Sequence, residues 1–66
     1  MERQEQVREM LHDLGNALTR ILTSAELLHE STELPSAAAA DVETIRGAAI
    51  EGRDILRDIA MTLRSE

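Results

Sequence analysis

Apolar residues recur at Val7, Leu11, Leu14, Leu18, Ile21, Ala25 and Leu28, in alternating steps of four and three. A second run at Ala38, Val42, Ile45, Ala49, Gly52, Leu56, Ile59 and Leu63 repeats the pattern. Such spacing keeps one helix face apolar over many turns, and neither run alternates with the period of two that a strand needs. Leu22, Ala48 and Ile55 flank the seams and widen them beyond a two-stranded stripe, as helices inside a bundle require. Between the runs lies HESTELP, residues 29–35, where Ser31, Thr32 and Pro35 interrupt helical chemistry. Pro35 suits a helix start and not a helix interior. The pattern predicts one all-α domain over residues 1–66: helix one at about 2–30, a turn at about 31–35 and helix two at about 36–64. The two fold back as an antiparallel hairpin, each helix roughly 43 Å long. Ala37 to Ala40 read as strong helix formers. Gly52, at a seam position, reads as a point of close helix approach in preference to a bend.

Length then decides the assembly. Two helices packed alone leave one side of each apolar stripe wet. Chains below about 70–80 residues usually lean on disulfides, metals or oligomerisation. This chain has 66 residues and no cysteine, and its sequence shows no metal-ligand cluster. The expectation is a homodimer in which two hairpins form a four-helix bundle.

Charge and composition narrow the partners. Thirteen acidic residues face seven arginines, lysine is absent, and the net charge is −6. An acidic chain is ill suited to a phosphate backbone. It also has no Phe, Tyr or Trp to stack on bases, so no nucleic-acid partner is expected. No run approaches the roughly 18 apolar residues of a membrane span. The opening MERQEQVREM lacks the apolar core of a signal peptide. A cytoplasmic location without membrane contact by this segment follows as the expectation.

Candidate chemistry concentrates around His12. It follows Leu11 of the seam, so at about 100° per residue it stands beside the stripe, facing solvent. Asn16 lies one turn further on the same face and Thr19 one turn beyond that. An exposed neutral imidazole is a good nucleophile when one ring nitrogen holds the proton and the other is bare. A carboxylate accepting from Nδ1–H fixes that tautomer and stabilises the cation formed on attack. Asp13 is adjacent in sequence, although neighbours i and i+1 do not face each other on a helix. Glu9, three residues earlier, is the alternative that spacing favours.

The stretch HDLGNALTRILTSAELL, from His12 to Leu28, resembles the phosphoacceptor box of bacterial sensor histidine kinases. It is similar to the HisKA-type dimerisation and histidine-phosphotransfer domain, in its His-Asp-Leu-x-Asn-x-Leu-Thr variant. DVETIRGAAIEGRDIL, from Asp41 to Leu56, resembles the returning helix of that domain with less specificity. The resemblance spans nearly the whole chain. It implies that His12 accepts the γ-phosphoryl group of ATP from a separate catalytic domain and passes it to an aspartate of a response-regulator receiver domain. It makes Asp13 the acid/base partner, ahead of Glu9. It makes Asn16 the polar residue that orients water when the receiver is dephosphorylated. Many members carry proline after that polar residue, whereas Ala17 stands here, so a proline hinge is absent. The nucleotide-binding boxes are also absent, and no glycine-rich phosphate loop replaces them. No cofactor is therefore expected on this chain, ATP and magnesium belong with the separate catalytic domain, and the chain alone is not expected to be an active kinase. It reads either as a piece of a larger kinase or as a stand-alone phosphotransfer dimer.

A hairpin turning near residue 33 would place His12 level with about Asp54, with Arg53 and Arg57 close in height. Those two arginines are candidate neighbours of a phosphoryl group, against the plainer reading that they pair with Asp54, Asp58 or Glu51. Arg20, Thr23, Ser24 and Leu27 are the candidates for receiver docking. His29, in the turn region, reads as a surface histidine without a matched acid, and Met10 and Met61 as soft packing. Three rivals remain. A purely structural dimeric hairpin accounts for everything except the histidine box. An RNA-binding hairpin dimer of the Rop type needs a basic face that Arg3, Arg8 and Arg20, interspersed with acids, do not make. A di-metal bundle would use the Glu9–His12 spacing, but needs a second inward carboxylate that helix two does not supply.

Overall fold

The computed structural model describes residues 2–65. Two helices make up the fold, α1 at Glu2–His29 and α2 at Ser36–Ser65. They lie antiparallel as a rod of 50 × 16 × 13 Å. No strand occurs among the described residues.

The connection is built from local hydrogen bonds. The Glu30 amide donates to the Glu26 carbonyl at 3.1 Å and the Ser31 amide to that of Leu28 at 3.0 Å, which tightens the end of α1. The Glu33 amide donates to Ser31 Oγ at 3.3 Å. The Pro35 carbonyl accepts from the Ala39 amide at 2.9 Å. Pro35 therefore opens α2, at a place where its missing N–H costs no helical bond.

This connection is longer than a symmetric reversal at residue 33. Gly15 faces Leu56 and Gly52 faces Leu18, while Glu26 lies beside Arg46 and His29 beside Glu43. Facing pairs thus run about five residues further along α2 than the symmetric turn would give. The reason is mechanical: residues 30–35 travel onward past the end of α1 before α2 begins. The first turns of α2 then overhang by about 10 Å. His12 consequently lies level with the region of Ile59 and Ala60, and not with Asp54.

The apolar seam divides in two. Leu22, Ala25, Val42 and Ala49 are the buried residues among those described. Leu11, Leu18, Leu56 and Leu63 are half-buried in line with them, and all of these face the other helix. The intervening seam residues Leu14, Ile21, Leu28, Ile45 and Ile59 remain 42–50% exposed. Each seam, expected as one buried stripe, is therefore an inner row and an outer row alternating along the heptad. Of the flanking residues, Leu22 enters the core whereas Ala48 and Ile55 stay exposed.

Two glycines set the helix separation. A Cβ on Gly52 would come within 3.2 Å of Leu18 Cδ2, and one on Gly15 within 3.1 Å of Leu56 Cδ2. Each leucine nests where a side chain is missing on the opposite helix, which is the close approach read from Gly52. Gly47 has nothing within 4 Å of its added Cβ. Gly47→Ala should therefore return the full helix-propensity gain of about 1 kcal/mol. Gly52→Ala should fall clearly short of it, because Leu18 must shift. Urea denaturation of the two variants checks this, and equal gains would show that the Leu18 nest imposes no constraint.

Candidate functional site

Each helical residue advances about 100° around the axis, which fixes what shares a face. On α1, Leu11, Leu18, Leu22 and Ala25 point at α2. His12 lies about a quarter turn to one side of them, and Leu14, Ile21 and Leu28 lie nearly opposite His12. The histidine and the outer apolar row thus occupy different sides of the same helix.

The His12 side chain is 77% exposed. Its Nδ1 lies 3.9 Å from Asp13 Oδ1, too far for a direct hydrogen bond, yet close enough to set the carboxylate on the Nδ1 side of the ring. Both side chains reach outward past the helix surface, which is how neighbours in sequence come together. Glu9 makes no ion pair with His12 among the described residues.

A groove of about 640 Å³ runs beside His12 between the helices. Its α1 wall carries Arg8, His12, Asn16 and Thr19 on successive turns. Its α2 wall carries Arg53, Arg57 and Arg64. Leu11, Leu56 and Leu63 form the floor, and the missing side chain of Gly15 opens the wall above Leu56. No aspartate or glutamate lines this groove among the described residues. Nor does any of its four arginines form an ion pair with a described residue. His12, Asn16, Arg53 and Arg57 are thus brought together, whereas Asp13 stands outside the groove lining. Arg64 is not expected from a symmetric turn, because that register sets His12 level with Asp54; Arg8, one turn before His12 on the same helix face, is available from spacing alone. The steps of four and seven that join Arg53, Arg57 and Arg64 put them on one α2 stripe, and that signal was available.

Arg20, Thr23, Ser24 and Leu27 are all exposed, Leu27 to 66%. They do not form one patch. Thr23 and Leu27 continue the His12 face toward the turn. Arg20 and Ser24 instead rim a shallow second groove with Ile21, Leu28, Val42 and Ile45, on the outer apolar side. His29 differs from expectation too. Its Nε2 lies 3.0 Å from Glu43 Oε2, because the shifted register carries Glu43 across to it. Arg46 completes this cluster, 3.2 Å from Glu43 and 4.0 Å from Glu26. Met10 and Met61 are both more than half exposed.

Among the described residues no group of three or more His, Cys, Asp or Glu side chains is placed to hold a metal ion. No described helix is long and apolar enough to cross a membrane. No curated protein and no solved structure shows significant similarity to the chain. Residues 2–66, however, match the family model of the His Kinase A (phospho-acceptor) domain. With an exposed histidine on a helical hairpin and a match over nearly its entire length, the chain belongs to the His Kinase A phospho-acceptor family of two-component signalling.

Proposed function

We propose that His12 is the phosphoacceptor, that it is loaded by an ATP-bound catalytic domain on a separate unit, and that it delivers the group to an aspartate of a response-regulator receiver domain. The observation that carries this reading is the exposed imidazole on the rim of an arginine-lined groove, with a carboxylate on its Nδ1 side. With the proton on Nδ1, the Nε2 lone pair attacks the γ-phosphorus. The N–P bond forms as the bond from γ-phosphorus to the bridging oxygen breaks, and ADP leaves with that electron pair. Asp13 stabilises the imidazolium through its Nδ1 side. In the second step a carboxylate oxygen of the receiver attacks phosphorus, and the N–P electron pair returns to Nε2. Nucleotide and magnesium belong with the catalytic domain in this scheme, and the signalling takes place in the cytoplasm.

Asn16, one turn from His12 along the same groove, supplies an amide that can hold a water for hydrolysis of the phosphorylated receiver. Thr23 and Leu27 extend the face on which that receiver docks. Arg20 and Ser24, turned away from His12, fit the edge of that contact less well.

The same reading includes a homodimer. Four buried residues among those described are a small core for a chain of 66 residues. Leu14, Ile21 and Leu28 recur at sevens on α1, with Ile45 and Ile59 in phase on α2. That outer row has the period of a coiled-coil face and complements a second copy of itself. Because it lies opposite His12, a dimer formed through it leaves the histidine open.

Incubation with a histidine-kinase catalytic domain and ATP should put an acid-labile, alkali-stable phosphoryl group on the chain. The His12→Gln variant should take none, and equal labelling of that variant would remove His12 from the role. Asn16→Ala should keep the label but slow receiver dephosphorylation by on the order of tenfold or more. The double variant Ile21→Glu, Ile59→Glu should sediment as a 7.3 kDa monomer where the parent sediments at twice that mass. A monomeric parent would contradict the dimer.

A further inference from the structure

The chain carries a net charge of −6, yet four of its seven arginines converge on one groove beside His12. Chance dispersion of seven cations among thirteen acids would be expected to interleave the two signs, as it does around Arg46, which is held by Glu43 and Glu26. Here the acids fall elsewhere: none lines the groove among the described residues, and none pairs with Arg8, Arg53, Arg57 or Arg64. Uncompensated guanidinium groups on two facing walls repel one another, so the arrangement disfavours the empty groove and favours one that holds an anion. Guanidinium forks match the geometry of phosphate oxygens.

We propose that this groove is a phosphoanion subsite belonging to the hairpin itself: Arg8, Arg53, Arg57 and Arg64 bind the polyphosphate of the incoming phosphodonor and hold its terminal phosphorus near His12. The subsite brackets His12 in height: Arg8 and Arg64 lie toward the open end, and Arg57 and Arg53 lie toward the turn. Its function rests on His12 as acceptor, but the binding of anions does not. The phosphoanion can come as the triphosphate of a nucleotide carried by a catalytic domain, or as a free inorganic polyphosphate, and the arms of the test separate the two.

Tripolyphosphate is the probe, titrated into the 66-residue chain and followed by amide and arginine Nε–Hε NMR. Saturable shifts at Gly15, Asn16 and the groove arginines are expected. The double variant Arg53→Gln, Arg57→Gln should weaken binding about tenfold or more, as loss of charge-assisted hydrogen bonds implies. Arg3→Gln, Arg46→Gln, the same charge change outside the groove, should leave it within about twofold. Equal weakening by both pairs would reduce the effect to general ion atmosphere and overturn the proposal, as would shifts that do not saturate. With a catalytic domain and ATP, the groove double variant should raise the concentration of hairpin needed for half-maximal labelling. If tripolyphosphate also inhibits labelling of the parent chain but not of the variant, both sources use the same subsite; if it binds without inhibiting, the groove serves free polyphosphate alone and the donor assignment fails. Normal labelling of His12 without tripolyphosphate binding would sink the subsite and leave the phosphoacceptor role intact. Binding without any labelling would do the reverse.

Discussion

A two-helix hairpin has one internal interface, and this chain carries apolar residues for more than one. The heptad resolves the mismatch by sorting its two apolar positions. Leu11, Leu18 and Ala25 meet Val42, Ala49 and Leu56 within the hairpin, and Leu14, Ile21 and Leu28 are left on the outside with Ile45 and Ile59. Burial is worth about 25 cal/mol per Å² of apolar surface, so an outer row this long is a standing drive toward association. Everything at the site follows from which sides remain. On α1 the inner row, the outer row and His12 take separate sectors of the helix. The histidine stays in water because both apolar sectors are assigned to other surfaces.

The fold was legible because both of its signals are local. A period of seven over three to four heptads specifies helix whatever it packs against, and Pro35 with its neighbours marks the one break. The division of the seam was not legible, since alternate heptad positions have the same hydropathy and differ only in which helix they meet. The register was not legible either. It depends on how far residues 30–35 travel before α2 begins, which local hydrogen bonds such as that from the Glu33 amide to the Ser31 hydroxyl decide. The candidate site inherits both outcomes. His12, Asn16 and Thr19 lie on one helix, so spacing alone aligned them. Arg8, four residues before His12, is aligned with it by spacing too, whereas Arg64 joins His12 only through the register, and Glu43 reaches His29 for the same reason.

The glycines connect packing to the site. Gly15 is three residues from His12, and Leu56 occupies the gap it leaves. Gly52 does the same for Leu18 one turn further along. These reciprocal nests hold α1 and α2 close and oppose sliding of one past the other. The α2 arginine stripe is thereby held at a defined height relative to His12. With Ala17 where a proline would bend the helix, α1 continues unbroken from Glu2 to His29.

Local charge, and not net charge, governs the chemistry. A phosphoryl group adds about −1.5 to −2 charges at neutral pH. On a chain already at −6, a mean-field view would make that addition unfavourable. The Debye length at physiological salt is about 8 Å, so most of the thirteen acids are screened from His12. The groove arginines share a single cleft with the ring and are screened least. An acidic exterior and a cationic cleft are therefore compatible. The first disfavours nucleic acid over most of the rod, and the second gathers four guanidinium groups beside the exposed imidazole.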